Sequence, residues 1–181
     1  MPRWRHPGPR LGITIALTQG IAFTQGKDNL MPDVLAEAEG HLRRLANRYA
    51  DAINRAAFDE VVACYAPDGV WRVPPPFRAD HVGRENIKKR LADRRAQVDL
   101  VVMMVGTVVA VEASPGLIRG RTTIAEKGRL DAEHGLDVLG LYDDELVPVD
   151  GEWLFASRTL NLLAYSDVPS TYITVKREPA R

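Results

Sequence analysis

The chain has 181 residues, 45% of them hydrophobic and 27% charged, with 24 basic residues balanced by 24 acidic ones. Those proportions fit one globular domain with a sizeable core. Zero net charge argues against nucleic acid or an acidic membrane surface as the main partner, because both select a basic excess. The single cysteine, Cys64, excludes an intrachain disulfide framework and a cysteine metal site, and fits a reducing, cytoplasmic setting.

Residues 1–30 read as an extension ahead of the domain. The stretch "MPRWRHPGPRLGITIALTQGIAFTQG" has the basic start of a secretory leader. Thr, Gln and Gly interrupt its apolar part, however, and no small-x-small cleavage site follows. It is also too short and too polar to span a membrane. The domain proper is expected over residues 31–168, and residues 169–181 form a tail ordered only in part.

From Pro32 to about Asn54, Leu35, Leu42, Leu45, Ala46, Tyr49, Ala52 and Ile53 recur at spacings of three and four, which predicts a helix. Asp33 suits its first turn, where a carboxylate meets the positive end of the helix dipole. "FDEVVACYA" predicts a second, short helix in which Cys64 is a small buried thiol. "PDG" (Pro67 to Gly69) is a turn signal. "GVWRV" then reads as a strand, stopped by three prolines at 74–76. "GRENIKKRLADRRA" predicts a third helix, and its basic run Lys88 to Arg95 reads as a solvated face.

Everything beyond looks like sheet. Strands are expected at Leu100 to Glu112, Leu117 to Glu126, Leu136 to Val147 and Trp153 to Leu163, with turns at "ASPG", "EKGRLDAEHG" and "VDGEW". Helices first and a long antiparallel meander afterwards imply an α+β fold. Three helices cannot cover both faces of four long, twisted strands. Such a sheet curls around them and leaves a conical cavity.

Two stretches carry a family resemblance. "LANRYADAINRAAFDEVVACYAPDGVW" (Leu45 to Trp71) resembles the opening of SnoaL-like domains, in the nuclear transport factor 2-like superfamily. "LGLYDDELVPVDGEWLFASRTLN" (Leu139 to Asn161) is similar to their closing hairpin, with its G-x-Y-x-D, its D-G-x-W turn and the arginine after it. "GRENIKKRLADRR" fits their third helix, and the resemblance covers about residues 33 to 165. It implies three N-terminal helices packed in a curved, mainly antiparallel sheet, a cystatin-like cone. The superfamily includes scytalone dehydratase, ketosteroid isomerase, limonene-epoxide hydrolase and polyketide cyclases, together with members that only bind. Fold therefore says more here than function.

Dehydratase-like relatives carry a histidine on the strand after the third helix, assisted by an aspartate near the end of the first. Here the histidine position falls near Met103 or Met104, in "DLVVMMVGTVVAVE", and the aspartate position falls on Asn54. Asparagine orients through hydrogen bonds but takes no proton at neutral pH. The methionines make a greasy, adaptable wall, with Met104 taken as the residue that sets the cavity width.

The remaining site candidates follow from alternation and from the resemblance. Tyr49 and Tyr142 are candidate hydrogen-bond donors, and Asn54 an orienter. Glu126 and His134, close across one connection, are a candidate carboxylate–histidine base. Trp71, Met104, Thr122 and Tyr142 are candidate ligand contacts, although Trp71 and Trp153 also fit as packing at the base of the cone. Arg158 is expected to pair with Asp143 or Asp144 as an exposed ion pair of small energetic weight. His81 is a further residue for the cavity entrance; His6 and His41 look peripheral. No phosphate loop, metal-ligand spacing or Ser-His-Asp arrangement is legible, so neither a metal nor a cofactor is expected.

These features fit a lyase, isomerase or cyclase without a cofactor, acting on a small hydrophobic molecule that bears a carbonyl or hydroxyl. A binding protein with the same cavity and no turnover is the alternative, and a structural partner subunit a third. Leu139 and Leu141, pointing outward together with Leu100 or Val101, predict a homodimer through the outer sheet face.

Overall fold

The structure, a computed structural model, describes residues 30–75, 78–98, 100–129, 131 and 133–169. The expected extension, through residue 29, and the expected tail, from residue 170 onward, lie outside these. Helix α1 (Leu30–Asn54) buries Ala38, Leu42, Leu45, Tyr49 and Ala52, a single stripe at alternating steps of four and three. It ends where Ala56 takes a left-handed φ of 54°, a conformation that stops helical propagation. The short helix α2 (Phe58–Ala63) then buries Val61 and Val62.

Strand β1 (Tyr65–Val73) ends at the expected prolines. It absorbs the "PDG" segment, which is not a separate turn: the pairing of β1 with its neighbour shifts register between Tyr65 and Val70 instead. A strand that the sequence pattern did not predict, β2 (Ala79–Val82), folds back on β1. Helix α3 (Arg84–Arg95) buries Ile87 and Leu91. The meander follows as β3 (Leu100–Ser114), β4 (Leu117–Arg129), β5 (His134–Val149) and β6 (Glu152–Pro169). The sheet order is β2-β1-β6-β5-β4-β3. Neighbours are antiparallel except β1 and β6, which run parallel.

Two glycines make this arrangement possible. A side chain at Gly120 on β4 would collide with Leu42 of α1 and approach the Val109 carbonyl to 2.6 Å, so the helix can lie against the sheet only where this strand carries no Cβ. Gly151 and Asp150 both have positive φ, 84° and 51°, in the tight turn that joins β5 to β6. The apolar core between α1 and the concave face includes Tyr49, Tyr65, Val108, Ile124, Tyr142 and Phe155. Trp153, expected at the base of the cone, is half-buried and packs against the core cluster beside His41, with ring centroids 6.0 Å apart. Among the described residues, no helix is long and apolar enough to cross a membrane.

Candidate active site

The curled sheet and the helices enclose a cavity of about 430 Å³. Helix α1 contributes Tyr49 and Ile53, β1 Trp71 and Val73, and α3 Arg90, Leu91 and Arg94. The sheet adds Met103, Ile124, Glu126, Leu136, Val138 and Tyr142, with Leu160, Leu162 and Tyr165 from β6. Most of this wall is aliphatic. Polar groups gather at a few places, as in ligand cavities generally.

One such place is Glu126, only 3% exposed. Its carboxylate accepts hydrogen bonds from the Arg94 guanidinium, which reaches across from α3. Burial works against the Arg94 charge, but Glu126 offsets it, and the guanidinium titrates above its ordinary range. The Tyr49 and Tyr142 rings meet edge-on with centroids 6.4 Å apart, and both lie near the charges of this pair or of Arg158. Burial is the main reason both phenols titrate well above their usual value. They remain O–H donors at any physiological pH.

Beneath the tyrosines lies a second, sealed pair. Arg158 Nε donates to Asp144 Oδ1 at 2.7 Å, Nη2 reaches Oδ2 at 3.2 Å, and Thr122 Oγ1 donates to the same carboxylate at 2.8 Å. The Arg158 guanidinium also lies 3.9 Å from the Tyr142 ring centre, 4.2 Å from Phe155 and 4.5 Å from Tyr49, so its faces are covered by π-systems. Arg158 is 1% exposed. The expectation of an exposed pair is therefore corrected: cross-strand register sets Asp144 opposite Arg158 on the concave face, under the helix.

Several expected site residues are placed elsewhere. Met104 points outward and is 46% exposed, whereas Met103 lines the cavity at 5%. The cause is a register shift between Val105 and Val108. Alternation counted back from buried Val108 arrives at Met104, and the bulge moves the inward side to Met103. Thr122 is fully buried, with its hydroxyl committed to Asp144, and is not among the cavity-lining residues.

Asn54 does not orient a cavity group. Its Nδ2 donates to the Met103 carbonyl at 2.9 Å, and its Oδ1 accepts from the Met103 N–H at 2.6 Å. Glu126 and His134 do not pair. β4–β5 register puts Glu126 opposite Val138, and the exposed His134 imidazole, at the first residue of β5, lies 2.9 Å from Asp131.

Tyr49, Tyr142 and Trp71 do line the cavity. So does His81, whose ring stacks on Trp71 with centroids 5.4 Å apart. Burial first, and the Arg90 charge second, hold the His81 imidazole below its ordinary pKa, with Asp80 opposing. Arg90 and Arg94 were hidden in the basic run read as a solvated face. A signal existed: Ile87, Leu91, Arg94 and Val98 step by four, three and four, so Arg94 occupies a position on the apolar stripe. Among the described residues, no cluster of three or more His, Cys, Asp or Glu could hold a metal.

A model of the SnoaL-like domain matches residues 35–159. No curated protein is similar enough in sequence to match. Among solved structures, a candidate scytalone dehydratase from Novosphingobium aromaticivorans DSM 12444 is 22% identical, with a TM-score of 0.67, covering 82% of this chain and 97% of its own. A hexachlorocyclohexane dehydrochlorinase, LinA-type3 from Novosphingobium barchaimii LL02, is 12% identical with a TM-score of 0.67, covering 78% and 97%. A protein of unknown function with a cystatin-like fold from Nostoc punctiforme is 13% identical with a TM-score of 0.56, covering 67% and 88%. These likenesses establish the fold, and with the match over residues 35–159 the chain belongs to the SnoaL-like domain family.

Proposed function

We propose that the chain is an enzyme of the lyase or isomerase kind, working without a cofactor on a small hydrophobic molecule that bears a carbonyl or hydroxyl. The observation that carries this reading is Glu126, a carboxylate 3% exposed in the same cavity as two tyrosine hydroxyls. Glu126 accepts a proton from carbon next to the oxygen-bearing group. Tyr49 and Tyr142 donate hydrogen bonds to that oxygen as charge develops on it. Arg94 holds the carboxylate in place through its hydrogen bonds. The Asn54 and His134 roles expected from the sequence are withdrawn, because neither side chain is placed in the cavity.

The test is deuterium exchange next to the carbonyl of a panel of cyclic and aryl ketones in D2O, followed by NMR. Glu126→Gln is expected to slow exchange by about 10²–10⁴-fold with little change in melting temperature. Exchange unchanged in the variant overturns the assignment. A binding protein with no turnover is the second reading. The absence of a histidine at Met103 or Met104, where the dehydratase-like relatives carry one, favours it, as does the Arg94 clamp on Glu126.

We also infer a homodimer through the outer sheet face. Met104, Ala125, Leu139 and Ala164 form one row across β3, β4, β5 and β6, and Met104 and Leu139 are 46% and 48% exposed. A patch of this kind is commonly covered. Light scattering that gives a single-chain mass overturns it. The buried Cys64 thiol goes with a cytoplasmic, reducing setting.

A further inference from the structure

Arg90 has no part in the chemistry proposed for Glu126, yet it lines the same cavity. It stands three residues after buried Ile87 and four before Arg94 on α3, so it shares their inward side. Other cations of this helix are engaged. Lys88 meets Asp59 at 2.6 Å and Lys89 meets Asp93 at 2.7 Å. Arg84 donates to the Tyr65 carbonyl, Arg94 to Glu126 and Arg95 to the Val98 carbonyl. Arg90 has neither an acidic nor a carbonyl partner among the described residues.

The charges around the cavity can then be added up. Arg94 and Glu126 cancel, and the depressed His81 is neutral at pH 7. Asp80, behind His81, faces Arg72 at 3.8 Å. Among the described lining residues, one positive charge is left over, at the half-buried Arg90. An anion entering an aliphatic cavity needs a partner of opposite sign, or its desolvation forbids entry. A guanidinium meets a carboxylate through two parallel hydrogen bonds. Deeper in, Glu126 repels a second anion and already holds Arg94.

We infer that the cavity takes an apolar molecule carrying a single carboxylate or equivalent oxyanion, with the anionic group held by Arg90 and the apolar body against Leu91, Met103 and Val138. This rests on the reading of the cavity as a ligand site and names the class of ligand. It does not depend on turnover.

The experiment compares 2-naphthoate with neutral 2-naphthamide by calorimetry on the full chain at low salt. Naphthoate is expected to bind about tenfold tighter or more. Arg90→Gln should remove the preference, and Arg90→Lys should keep part of it, with melting temperatures unchanged because the side chain reaches solvent. Equal affinity for the two compounds overturns the inference, as does a preference that survives Arg90→Gln. A preference that depends on Arg90 supports it even where Glu126→Gln leaves exchange unaltered, the result that sinks the enzymatic reading alone. Binding of neither compound overturns the inference and leaves the exchange assay to judge the enzymatic reading.

Discussion

Two arginine–carboxylate pairs sit on the concave side of this sheet, and they differ in almost every respect that matters. Arg158 and Asp144 have side chains 1% and 0% exposed and come from adjacent strands. Arg94 and Glu126 have side chains 28% and 4% exposed, and the arginine reaches over from a helix. The first pair is closed over by three aromatic rings. The second borders open volume. A sealed pair serves the frame, because removing one partner strands a charge without water. A pair beside a cavity keeps one side available, and water or a ligand can replace what a substitution takes away.

The largest expected effect tests the sealed side of that contrast. Asp144→Asn leaves the Arg158 charge buried with its principal partner neutralised, and should cost about 3–5 kcal/mol in urea unfolding. Arg94→Gln should cost less than half as much, because its surroundings admit water. Equal losses for the two variants would erase the distinction between frame and site.

Adjacent methionines give a finer version of the same contrast. Met103→Ala opens space next to the cavity and should cost about 2–5 kcal/mol, with part of the loss restored by a hydrophobic ligand. Met104→Ala, on the outer face, should stay within about 0.5 kcal/mol in the monomer. Thermal melts with and without 2-naphthoate measure both. A larger loss at Met104 would mean that β3 runs in the opposite phase.

The smallest effect concerns His81. Its folded pKa is depressed, chiefly by burial and then by Arg90, so the folded protein binds the proton less readily than the unfolded chain. The stability this contributes is fully present above the unfolded value of about 6.5 and is lost as pH falls through the folded pKa. Urea midpoints from pH 7.5 down to 5 should therefore decline, with a shallower slope in His81→Gln. An identical slope in that variant removes His81 from the account.

Much of the frame was legible because its signals are local. The α1 stripe through Leu42, Leu45 and Tyr49, the prolines after Val73 and the Asp150–Gly151 turn each depend on a few neighbouring residues. The inward setting of Tyr142 was implied by the family resemblance, and alternation along β5 carried it to Gly140, Val138 and Leu136. The failures share a different cause. The phase at Met103 and Met104 depends on a bulge between Val105 and Val108, which the lone Gly106 marks only weakly, and a one-residue slip reverses inside and outside. Strand β2 spans four residues, too few for a period to declare itself. The partners of Glu126 and Asn54 lie 32 and 49 positions away in sequence, and pairing at that range follows from the assembled fold.

The grip of Asn54 on the Met103 main chain also reaches beyond its two hydrogen bonds. β3 is one of the two edge strands of the sheet, and such a margin offers unsatisfied amide and carbonyl groups to any extended peptide that drifts past. At Met103 both groups are already taken by the carboxamide. The same contact fixes how deep the end of α1 sits against the sheet by holding backbone and not a particular side chain. Methionine can therefore be exchanged there for another residue without moving the scaffold, leaving the lining free to drift in shape and polarity while the container keeps its dimensions.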